Sequence, residues 1–112
     1  MTQGPKFSID SLTDQLRTAS GTSVEFLRVP AISAGAYVLA AGAIDHQSPH
    51  EQDELYYVVR GRAKFRSPTG EVPVAPGDIL FVGAHEPHRF VDIVEELVLL
   101  VVFAPAQSRA AP

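Results

Sequence analysis

The chain has 112 residues, enough for one domain, and its 13 acidic and 9 basic side chains give a net charge of −4. It has no cysteine, which excludes disulfide frameworks, thiolate metal sites and cysteine nucleophiles and leaves chemistry to carboxylates, hydroxyls, lysine or histidine. With no basic stripe to meet phosphates, no apolar run near the roughly 20 residues of a membrane helix and no apolar signal core, the expectation is a cytoplasmic protein without nucleic-acid or membrane partners.

Nine prolines and eight glycines interrupt the chain too often for long helices and favour short strands joined by turns. Ile9, Leu12 and Leu16 recur at helical spacing, with Asp10 or Ser11 as the cap, and predict one short helix packed outside a larger body. From Thr22 the pattern changes to strands: 23–29 ends at Pro30, 36–40 ends before Gly42, and 55–60 is closed by Gly61. Residues 63–66 alternate, Ser67-Pro68-Thr69-Gly70 suits a type I turn, and 71–74 is a short strand. Pro76-Gly77-Asp78 turns the chain into 79–82, and 89–91 and 97–103 complete a series of eight or so strands. The predicted class is all-β, a sandwich or small barrel. Residues 1–20 are expected to form an N-terminal segment with the helix, 21–105 one barrel domain, and 106–112 a frayed tail.

All four histidines fall between residues 46 and 88, in two polar clusters that break the apolar pattern: His46-Gln47-Ser48-Pro49-His50-Glu51-Gln52-Asp53-Glu54 and His85-Glu86-Pro87-His88. Imidazole and carboxylate together ligate zinc, iron, manganese, nickel or copper, and two histidines with one carboxylate can leave coordination positions open. On one straight strand His50 and Glu54 would stand about 13 Å apart at ~3.3 Å per residue. They can share an ion only if the chain reverses at Glu51-Gln52-Asp53. With period two, His46, Ser48 and His50 would share a face of an incoming strand, and Glu54, Tyr56 and Val58 a face of the returning one. His88, after Pro87, could complete the site from across a barrel.

The spacings Gly42-x5-Ser48-x-His50-x3-Glu54-x6-Gly61 and Gly77-x5-Gly83-x-His85-x2-His88-x3-Asp92 resemble the two motifs of the cupin superfamily. The resemblance implies a small single-domain cupin, a double-stranded β-helix or jelly-roll barrel with a divalent metal in its mouth, and His50, Glu54 and His88 as ligands. Ser48 stands where the family's first histidine would be, so the fourth ligand is His46, Ser48 or water. In the second motif Gly83 replaces a proline, His85 a glycine and Asp92 an asparagine.

Other residues carry weaker expectations. His85 reads as a surface residue, with a site-edge acid or base as the sharper alternative. Tyr56 should point inward, to line the pocket or simply to pack. Tyr57, Val59 and Phe65 are expected outward or in a second layer, favouring a homodimer. Glu51 and Asp53 read as solvated turn carboxylates. Arg60 and Arg89 could greet an anionic substrate or form ordinary ion pairs. The expected function is metal-dependent dioxygenase, isomerase or decarboxylase chemistry on a small polar molecule, with Tyr56 and His85 as catalytic candidates. The alternative is a noncatalytic binding or sensor cupin.

Overall fold

The computed structural model describes residues 5–19, 21–47 and 49–108. One helix, α1 (Ile9–Ala19), precedes six strands: β1 (Ser23–Val29), β2 (Ile32–Leu39), β3 (Asp53–Ser67), β4 (Gly70–Val74), β5 (Ile79–Val82) and β6 (Arg89–Ala104). No helix among the described residues is long and apolar enough to cross a membrane. Every strand pairing is antiparallel, in the order β1-β2-β6-β3-β4, with β5 also on β3. One edge of β3 therefore carries β6, and the other carries first β5 and then β4.

Two long strands replace four of the short ones expected. Residues 55–60 and 63–66 join in β3, and 89–91 and 97–103 join in β6. Gly61 does not close a turn. Its φ of +97° lies inside β3, where the strand slips register against β6. A Cβ there would stand 2.2 Å from the Glu96 carbonyl oxygen, so only glycine permits this approach.

The slip also inverts the pleat. Glu54, Tyr56 and Val58 face inward before it, and Gly61, Ala63 and Phe65 after it. Phe65, expected outward or in a second layer, is thus buried in the main core with Tyr56, Phe90, Leu97 and Leu99. Tyr57 points outward, whereas Val59 packs beneath the helix.

The helix lies where the pattern places it. Leu16 packs with Ala36, Val38 and Val98 on the outer face of the sheet, flanked by Ile9 and Leu12. The first turn is capped by neither Asp10 nor Ser11: the Ser8 hydroxyl accepts the Ser11 N–H at 3.2 Å. At the other end, the described tail residues are tied down. Gln107 N–H donates to Ser33 Oγ at 2.8 Å, and Gln52 Nε2 donates to Ser108 Oγ at 2.7 Å. Residues 109–112 lie outside the described part.

Candidate metal centre

Glu54 stands near the start of β3 with its side chain turned into the core. His50 reaches it from the preceding loop through bends at Glu51 and Gln52. His88 arrives immediately before β6. His50 Nε2 lies 2.8 Å and His88 Nε2 3.2 Å from Glu54 Oε1. One ligand atom from each of the three residues falls within 4.8 Å of the others.

Neither approach is aligned as a hydrogen bond. His50 Nε2, His88 Nε2 and both oxygens of Glu54 are buried without a hydrogen-bond partner. Leaving one such atom unsatisfied costs about 1–3 kcal/mol, so four together form a site that fits a cation. Ligands at ~2.1 Å from an ion lie ~3 Å apart when adjacent, the spacing seen here.

The rings are aimed by the backbone. His50 Nδ1 lies 3.3 Å from the Gln52 carbonyl oxygen and His88 Nδ1 2.9 Å from that of Glu86. With each Nδ1–H donated outward, both Nε2 lone pairs face the centre. Packing restricts the rings further: His50 meets Phe103 edge-on at 4.9 Å. Burial works to lower the His88 pKa, but the Glu54 carboxylate and the Glu86 carbonyl outweigh it and hold it above the usual value. The Tyr56 hydroxyl, pushed well up by burial and by the neighbouring Glu54, donates to Gln47 Oε1 at 2.7 Å.

The structure does not bring His46 or the His85 imidazole into this cluster. No strand occurs among the described residues between β2 and β3, so no incoming strand face aligns His46 with His50, and His46 is exposed. Ser48 lies outside the described residues. The His85 side chain is exposed too, on a left-handed backbone with φ of 67°. Its backbone N–H donates to the His50 carbonyl at 2.7 Å, and Asp53 Oδ1 accepts the Ala84 N–H at 2.9 Å. These bonds pin together the two loops that deliver His50 and His88. Asp53 is therefore more than a solvated carboxylate.

A cavity of about 280 Å³ reaches Glu54 beside Ser33, Tyr37, Gln47, Val101 and Phe103. Burial and the adjacent Asp45 raise the Tyr37 pKa. A separate recess borders His88, Arg66 and Arg89. Arg66 bonds Glu71 at 2.7 Å, and Arg60 bonds Asp10 on the helix at 3.0 Å. Sequence reasoning missed Asp45, Gln47 and Gln52. Gln47 and Gln52 lie in the polar cluster, Gln52 expected only as part of a chain reversal, and nothing local marks Asp45 as buried.

The stretch from within β2 to nearly the end of β6 also carries the decisive likeness: residues 35–103 match the cupin domain family. The chain belongs to the cupins. An uncharacterized protein of Streptomyces coelicolor is 41% identical over 102 residues, covering 91% of this chain and 97% of that one. Among solved structures, a Rhizobium leguminosarum protein of unknown function superposes with a TM-score of 0.74 at 20% identity, covering 93% of this chain and 99% of that one. KdgF from Halomonas sp. gives 0.67 at 23% identity, covering 74% and 76%. These likenesses support the cupin fold. Within this cupin, His50, Glu54 and His88 form a buried cluster that could bind a metal ion.

Proposed function

We propose that this cupin holds one divalent metal ion at His50, Glu54 and His88 and acts through it on a small polar molecule bound in the adjoining cavity. The observation that carries this is the convergence of four buried, unpartnered ligand atoms beside that cavity. A bound iron, manganese, zinc, nickel or copper ion would supply Lewis-acid or O₂-dependent chemistry of the dioxygenase, isomerase or decarboxylase kind. The chain's own residues do the rest. The carbonyls of Gln52 and Glu86 orient the imidazoles, Val101 and Phe103 give the cavity an apolar wall, and Ser33, Tyr37 and Gln47 line its polar side. Tyr56, beside Glu54, remains a neutral phenol at physiological pH and serves to orient groups near the centre.

A noncatalytic binding cupin is the second reading. It is favoured by the way Tyr37 and Gln47 are engaged with Asp45, which leaves them suited to recognition more than proton transfer. Thermal-shift screening of small acids, sugars and phenols, with and without each metal, followed by product analysis of the hits, separates the two. Metal-dependent binding with turnover is the expected result. Binding that ignores the metal and yields no product would sink the enzymatic reading. A cytoplasmic location and homodimerisation complete the proposal. The dimer surface is the outward row of Leu55, Tyr57, Ile79 and Phe81, which are neighbours across β3 and β5.

A further inference from the structure

β6 stops at Ala104, and the next residue supplies the reason: Pro105 has no amide hydrogen and cannot carry the ladder further. Residues 105–108 then leave the sheet for the margin of the cavity beside the metal centre. Gln107 stands in its lining with Ser33, Phe103 and Glu54. Four hydrogen bonds hold this segment, and they fall on two sides. On the β1–β2 hairpin, the Pro30 carbonyl accepts the Ala106 N–H at 3.3 Å, Ser33 Oγ accepts the Gln107 N–H at 2.8 Å, and the Arg28 guanidinium donates to the Gln107 carbonyl at 2.6 Å. On the loop before β3, Gln52 Nε2 donates to Ser108 Oγ at 2.7 Å. Gln52 is buried, so this second anchor is a fixed one.

No large apolar side chain backs these bonds. Pro105 and Ser108 are exposed, Ala106 and Gln107 are half-buried, and none of the four belongs to either apolar cluster. A hydrogen bond to the protein replaces one to water and so contributes little net, which lets a segment held by such bonds open far more readily than the strands beneath it. β6 itself is anchored by Leu97, Leu99 and Phe103 in the core. Loose attachment and a place in the cavity wall therefore coincide in one short segment.

We propose that residues 105–108 are a strap that gates the cavity, opening about Ala104 and Pro105 to give passage to Glu54 and closing again onto Arg28, Pro30, Ser33 and Gln52. What the gate guards rests on the metal-binding reading above. The ties use the side chain of none of the three ligands, so the strap closes alike with and without an ion. Loosening it therefore changes how fast an ion passes and leaves unchanged how tightly it is held.

The test has two arms, each run on the full chain as wild type, Arg28→Met, Ser108→Ala and the double variant, which cut the ties on one side, the other and both. Amide hydrogen exchange without metal reads the strap itself. The Ala106 and Gln107 amides should exchange at least about 10-fold slower than in an unstructured peptide and at least about 100-fold faster than Leu99. Each single variant should speed them by about 2- to 10-fold, the value of one net hydrogen bond, and leave Leu99 unchanged. Exchange at the Leu99 rate would mean that the segment opens only with the whole fold, exchange at the peptide rate that it is not held, and either overturns the inference. Release of Zn(II) into excess EDTA reads the gate. It should quicken by about 2- to 10-fold in each single variant and further in the double, while the equilibrium Kd stays within about twofold. Unchanged release would route the ion past the recess at His88, and a loss of affinity in step with the faster release would make the segment a structural support; both overturn the inference while the metal reading stands. A wild type that takes up no Zn(II) overturns the metal reading instead, and the exchange arm then decides the strap alone.

Discussion

His50 and His88 approach Glu54 from two different loops, and each ring is aimed by a backbone carbonyl two residues away. Each ligand should therefore be individually necessary. Alanine at His50, Glu54 or His88 is expected to abolish stoichiometric metal binding, while His46→Ala should bind within about twofold of the wild type. Isothermal titration of the four variants checks this, and a large loss in His46→Ala would place that residue in the coordination shell. The three residues were legible because ligand chemistry needs particular side chains and the cupin motifs fix their intervals. His46 falls outside the cluster because residues 40–47 form no strand, so no strand face aligns it with His50. Asp45 and Gln47 were invisible for a different reason. Their burial arises where the loop crosses Tyr37 and Phe90, residues distant in sequence, and an aspartate in a polar stretch ordinarily faces water.

Elements were easiest to foresee where one period runs uninterrupted. The bounds of β1 and β5 are those the pattern gave, and the apolar stripe of α1 meets the sheet through Leu16 as expected. The period fails at Gly61, since a slip in pairing adds residues on one strand only and reverses every later side chain. Gly61→Ala should cost at least about 2 kcal/mol by urea unfolding, through backbone strain and the clash with Glu96. An unchanged midpoint would show that β3 and β6 can separate there. The helix is fixed chiefly by apolar packing, so Leu16→Ala should cost about 2–5 kcal/mol. Its ion pair adds a smaller, pH-dependent part. The Arg17 guanidinium, bonded to Glu96 at 3.3 Å through Nε, holds the Glu96 pKa below its usual value. A lowered carboxylate pKa stabilises the fold above the unfolded value, and this contribution disappears as pH falls through the folded one. The stability gap between wild type and Arg17→Met should therefore narrow from about pH 6 to about pH 3. A gap independent of pH would assign the effect of Arg17 to its packing.

At the scale of the molecule, the two cupin motifs place a polar cluster at one end of an apolar core, and the bonds that hold it reach across the chain, from Asp45 to Phe90 and from Gln52 to Ser108. The architecture was legible as all-β from strand composition and turn residues. The merging of short strands into β3 and β6 was not, because bulges continue a strand where sequence alone suggests a break. Among the described residues the fold leaves an apolar row uncovered: Leu55, Tyr57, Ile79 and Phe81 are 45%, 42%, 67% and 64% exposed. Sedimentation velocity should give a dimer for the wild type and a monomer for Phe81→Asp, and a monomeric wild type would remove that part of the proposal. The central claim concerns the cluster of His50, Glu54 and His88, and it is tested most directly by metal stoichiometry with the accompanying change in stability. One equivalent of Fe(II), Mn(II), Zn(II), Ni(II) or Cu(II) should bind, and free metal at about 100 times Kd should stabilise the fold by about 2.7 kcal/mol. Stoichiometric binding that persists unchanged in Glu54→Ala, or a wild type that takes up a negligible fraction of one equivalent of every metal, would contradict the account.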